Sequence, residues 1–153
     1  MASSFISKDN KFGFWIHDSI FQVACRVLYN VINSGFNNVQ SEVWTDRLKT
    51  LLDNNSKGLY HSYMHLELDE LIINEERKIV FSNFCKQSIE SALLFGDVIE
   101  LKILNEWYDM KLIAYHWVSS LETSRLIKVF GFLDDLINDK INIRASDEID
   151  YEF

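Results

Sequence analysis

The chain of 153 residues has no proline and only five glycines. With so few breakers it has little turn punctuation. That disfavours a β-sandwich, which needs many turns, and favours helices joined by short polar links. Only two cysteines occur, Cys25 and Cys85. Both sit in apolar-periodic stretches, so buried free thiols are expected rather than a disulfide framework. No apolar run reaches the length of a membrane span. Met1-Ala2-Ser3-Ser4-Phe5 offers neither a charged leader nor an apolar core of signal length, so a cytoplasmic location is expected. Basic residues are also scarce: 15 Lys and Arg face 23 Asp and Glu, for a net charge of −8. That balance argues against nucleic acid as a direct ligand, because phosphate binding needs a Lys/Arg surface. It argues equally against an anionic membrane. A basic protein partner suits it, since opposite fields speed encounter and set specificity.

What is present is a core. Hydrophobic residues make up 48% and aromatics 14%, too much for a disordered chain. A chain of this size buries roughly 70% of its unfolded surface. One domain over 1–153 is expected, all-α, a compact bundle of five or six helices with room for one short extended segment.

Residues 1–13 are polar with isolated aromatics and read as irregular. Asp18 offers a cap for a first helix, whose apolar face is Ile20, Val23, Ala24, Val27, Leu28 and Val31, with Gly35 as its stop. Phe14 and Trp15 are placed to pack back on it. A second helix starts near Ser41, carries Val43 or Trp44, then Leu48, Leu51 and Leu52, and ends in the Asp53–Gly58 loop. Residues 59–73 fit both periods: Tyr60, Ser62, Met64, Leu66 and Leu68 alternate as in a strand, while Met64, Leu68, Leu71 and Ile72 fit a helix. The composition favours helix.

Asn74 caps the next helix, with Glu75 and Glu76 in its first turn. Its buried face is Val80, Phe81, Phe84, Cys85, Ser88, Ala92 and Leu93, and Phe95-Gly96 closes it. Residues 97–120 read as one long helix, or as an extended piece followed by a helix from about Asn105. The last helix runs from about Ser120 to Ile137, with Gly131 inside it, either a cost in stability or a site of close packing. Residues 140–153 form a semi-ordered acidic end, where Ile141, Ile143, Ile149, Tyr151 and Phe153 alternate with polar residues.

No reaction motif stands out. There is no Gly-x-Ser-x-Gly, no phosphate-binding glycine loop and no Cys-x-x-Cys. None of Arg26, Arg47, Arg77, Arg125 and Arg144 is followed by the histidine of an Arg-x4–6-His ribonuclease signature. His61 and His65 are four apart, with Glu67 and Asp69 close behind. On a helix the two imidazoles would share a face and could hold a metal. The pair lacks the glutamate of a metalloprotease motif, and surface or half-buried histidines are the simpler reading. His17 and His116 are isolated, and His116 reads as a core or boundary residue.

Two acidic stretches are candidates for partner binding. One is Glu67, Asp69 and Glu70, continuing to Glu75 and Glu76, though a solvated helix start explains those acids too. The other is the end of the chain, where seven of the last twenty residues are acidic. It contributes Asp134, Asp135, Asp147, Glu148 and Asp150 as pairing groups and Tyr151 as an aromatic anchor.

Phe14-Trp15-Ile16-His17-Asp18-Ser19-Ile20-Phe21, then Leu66-Glu67-Leu68-Asp69-Glu70 with Glu76-Arg77-Lys78, then Lys140-Ile141-Asn142-Ile143 and Tyr151-Glu152-Phe153, resemble small bacterial immunity proteins of contact-dependent growth-inhibition systems. The similarity spans most of the chain. It implies a one-to-one protein inhibitor of a cognate toxin encoded beside it, and not an enzyme. Many such toxins are nucleases with basic clefts. The resemblance carries over no contact residue and no cofactor. The expected function is therefore an immunity protein that masks a basic toxin cleft with an acidic surface, as a monomer or weak homodimer. The alternatives are a non-inhibitory interaction or regulatory module and a metal-dependent helical enzyme.

Overall fold

The computed structural model describes residues 2–35, 42–59 and 64–147. The chain starts with β1 (Ser3–Ser7) and β2 (Gly13–His17), then α1 (Asp18–Asn33), α2 (Val43–Ser56), α3 (Leu68–Leu71) and α4 (Glu75–Leu93). There follow β3 (Val98–Ile99), α5 (Leu101–Asp109), β4 (Leu121–Glu122) and α6 (Thr123–Ile137). The fold is mostly helical but not purely so: among the described residues, β1 pairs with β2 and β3 with β4, each as a two-stranded antiparallel sheet.

The N-terminal segment is thus not irregular. Phe5 pairs with Trp15 and Ile6 with Phe14. Ile6, Phe14 and Ile16 are buried while Phe5 and Trp15 are half-buried, the alternation of a sheet with one covered face. Phe14 and Trp15 therefore belong to a strand, and that strand contacts α1. Gly13 makes the hairpin possible. A Cβ there would lie 2.0 Å from the Ile6 carbonyl oxygen, so no other residue fits without moving the strand. Buried Ser4 joins three elements: its Oγ donates to Asp18 at 2.8 Å and accepts from the Met64 N–H at 3.0 Å.

α1 is the centre of the molecule, packed by α2, α4 and α6. The sequence suggests one apolar face, yet every residue from Ile20 to Leu28 is buried, Gln22 and Arg26 included. Cys25 and Cys85 are free and buried, and burial pushes both thiols well above their ordinary range. α4 and α6 pack on each other; α4 begins as expected, with the Asn74 side chain accepting from the Arg77 N–H at 2.9 Å, while α6 starts at Thr123 because Leu121–Glu122 form β4. Leu93, assigned to the buried face of α4, is exposed instead. A Cβ on Gly131 would meet nothing within 4 Å, so this glycine does not serve close packing.

The expected helix over 59–73 survives only as the single turn α3. Residues 64–67 are irregular but keep a period of two, with Met64 and Leu66 buried and His65 and Glu67 half-buried. Tyr60, His61, Ser62 and Tyr63 lie outside the described residues. The single long helix over 97–120 does not form; the extended piece followed by a helix holds in order only, because the helix covers Leu101–Asp109 instead of starting near Asn105. The segment leaves the body through β3, runs along the nine residues of α5, and returns through an irregular stretch to β4. Its base is closed by the β3–β4 pairing and by Thr123 donating to the Asp97 carbonyl at 2.9 Å.

Candidate partner-binding surface

The two acidic stretches singled out in the sequence are largely committed to the fold. Glu67 Oε2 accepts from both Nε and Nη2 of Arg47 of α2, and Glu70 shares the same guanidinium at 3.5 Å. His65 Nε2 stands 3.6 Å from Glu67, and Glu75 pairs with Lys78 at 2.8 Å. Asp69 and Glu76 are exposed in the first turns of α3 and α4, where helix dipoles favour negative charge. Among the described residues no group of three His, Cys, Asp or Glu side chains is placed to hold a metal ion. His61 lies outside that set.

The second stretch behaves similarly. Asp134 accepts from Ser82 of α4 and from Asn138 Nδ2 at 3.2 Å, bracing α6 against α4. Asp135 lies 3.8 Å from Lys140. Asp139 pairs with Lys8 at 2.8 Å, and that hydrogen bond holds its carboxyl below the ordinary range. Asp147 accepts the Arg144 N–H at 2.7 Å and closes a local turn. The tail before it docks on the protein's own hairpin: Ile141 is buried, Gly13 donates to the Ile143 carbonyl at 2.9 Å, and Trp15 Nε1 donates to the Ala145 carbonyl at 3.3 Å. Glu148, Asp150 and Tyr151 lie outside the described residues.

A third region, not singled out in the sequence, has the character of a binding surface. Eight of the twelve exposed large apolar side chains among the described residues lie between Leu93 and Val118. Leu94 and Val118 are each 89% exposed and Met110 66%; Val98, Leu101, Tyr108 and Tyr115 are also exposed. Single exposed leucines need no explanation, but a concentration of this kind does. The same segment, extended to Glu122, exposes Asp97, Glu100, Glu106, Asp109 and Glu122 against Lys102 and Lys111. On α5, residues 101, 104 and 108 form one stripe and 102, 106 and 109 another. Leu104 is the only buried residue of the helix. Leu101 and Tyr108 therefore flank the one anchor and reach the surface beside a charged row.

The region is ordered by specific contacts. Phe95 and Trp107 meet edge to face at 6.0 Å, as do Tyr108 and His116 at 5.3 Å. His116 is thus exposed and not the expected core or boundary residue. α5 ends in a Schellman motif: Leu112 donates to the Trp107 carbonyl at 2.8 Å and Lys111 to that of Tyr108 at 2.9 Å. Lys111 occupies its left-handed position, at φ 57°.

Buried polar groups hold the return stretch from within. Ala114 donates to Gln22 Oε1 at 3.0 Å, and Arg26 Nε donates to the Leu112 carbonyl at 3.2 Å. Arg26 also donates through Nη2 to Asp53 and Ser56, each at 2.6 Å. Burial pushes the Asp53 carboxyl up, but hydrogen bonds from Lys57 and Arg26 outweigh it and hold the group below the ordinary range. Asn105 grips Trp117 twice, accepting its N–H at 3.0 Å and donating to its carbonyl at 3.1 Å.

A polar residue on a buried helix and a short apolar helix amid acids are faint signals in sequence. No protein-family model matches the chain, and neither the curated proteins nor the solved structures yield a match to it.

Proposed function

We propose that this chain is an inhibitory binding protein that docks on a basic protein toxin and masks its cleft, in the manner of an immunity protein. The observation that carries the reading is the segment from Leu93 to Glu122, where exposed apolar side chains stand among carboxylates on an ordered frame. Apolar anchors supply buried area, and a rim of carboxylates pairs with Lys and Arg. The net charge of −8 adds a field that draws a basic partner in. The same charge opposes pairing of this surface with a second copy of itself.

The test is co-expression with the toxin domain encoded beside the chain. Growth protection together with a stoichiometric complex is the expected result. Absence of a complex would overturn the reading. A complex that leaves toxin activity intact would turn it into a non-inhibitory interaction module.

A further inference from the structure

We propose that Gln22, Arg26 and Asn105 are positioning residues that hold the stretch 110–118 in one conformation before any partner arrives; the proposal rests on the binding role given to this surface. An irregular stretch must still satisfy its backbone polar groups where it is buried. Here side chains do so. Gln22 and Arg26 stand one helical turn apart on α1, and they meet Ala114 and Leu112, two residues apart in the loop. Between these contacts Ile113 is buried as an apolar plug. Asn105 fixes the far end by bonding both backbone groups of Trp117.

Two features set this apart from ordinary packing. The clamp is rooted in α1, the most enclosed element of the fold. It also buries a guanidinium that is 2% exposed, where apolar side chains of similar volume would commonly stabilise at least as well. The return is geometric: the loop is held from inside while Met110, Tyr115 and Val118 point their apolar surface outward. A partner that meets a preformed loop does not bear the entropy of ordering it.

The test uses the full chain with Gln22→Leu and Asn105→Leu combined, leaving Arg26 in place so that the fold survives. A second variant, Gln22→Glu, keeps an acceptor for the Ala114 N–H. Hydrogen exchange is followed in the free protein over 111–117 and over α6, and association is measured with the toxin domain encoded beside the chain. The double variant should exchange about tenfold faster in 111–117 with α6 within about twofold. Its toxin affinity should fall by about the factor by which the closed loop is depopulated. Gln22→Glu should stay close to the parent in both. Unchanged loop exchange, or exchange that rises equally in α6, would overturn the clamp. A freed loop that binds the toxin domain as tightly as the parent would overturn it while leaving the functional reading intact. A parent protein with a protected loop and no affinity for the toxin domain would sink both.

Discussion

Five carboxylates fall between Glu67 and Glu76, and five more between Asp97 and Glu122. In the first group Arg47 and Lys78 reach three of the five, and the backbone of α3 and α4 accommodates the rest at helix starts. Among the described residues of the second segment the only basic side chains are Lys102 and Lys111, with one loose contact of 3.9 Å between Lys102 and Glu106. The apolar company differs more. The first group has exposed Ile73 beside it, while the second is interspersed with Val98, Leu101, Tyr108, Met110, Tyr115 and Val118. Carboxylate density in a sequence is therefore a poor guide to charge on offer. What distinguishes a binding surface is charge left over, apolar area left uncovered, and a frame that keeps both in place.

The arginines of the two regions make the comparison sharp. Arg26 is buried beneath the second region, whereas the Arg47 side chain is about half exposed beside the first. We expect Arg26→Met to lower unfolding free energy in urea by about 1–3 kcal/mol, because the Leu112 carbonyl and the buried Ser56 hydroxyl lose a donor while Asp53 keeps Lys57. A loss below about 1 kcal/mol would show that the clamp carries no weight. Acid should act on the same clamp. The folded pKa of Asp53 lies below its unfolded value, so its stabilisation is complete above about pH 4 and is lost as pH falls through the lowered pKa. Asp53→Asn should flatten that part of the stability–pH curve.

Lys111→Gly should stabilise by about 1 kcal/mol in thermal unfolding, because it relieves a left-handed residue at the end of α5. Arg47→Ala should cost less than about 1 kcal/mol, as exposed pairs do, and should leave toxin binding unchanged.

Much of the helical frame was legible in the sequence. The cap at Asn74 and the 3.6-residue periodicity of α1, α4 and α6 report local chemistry, and the structure follows them; Asp18, expected to cap α1, is instead its first helical residue, with His17 at the cap position and no side-chain cap bond. The hairpin was hidden because its strands are five residues each and interrupted by polar Lys8-Asp9-Asn10-Lys11. Its register depends on Ser4 contacts sixty residues away, which no local pattern carries. The segment 97–120 misled for a related reason. Its apolar residues have helical spacing, but the helix is capped by Lys111 and Leu112, and beyond that turn Gln22, Arg26 and Asn105 take the backbone bonds of Ala114, Leu112 and Trp117 in place of further helix. The acids of 134–147 were visible as residues, but their pairing with Ser82, Lys140 and the Arg144 backbone was not.

The most direct measurement is stopped-flow association with the proposed partner, a basic toxin domain, for two double charge reversals, Glu106→Lys with Asp109→Lys, and Asp69→Lys with Glu70→Lys. Melting temperatures of both should be recorded alongside. The first pair should slow association by about tenfold or more at low salt, and the second by less than about threefold. Equal effects, or a larger effect at Asp69 and Glu70, would contradict the assignment of the binding surface to α5 and its return loop.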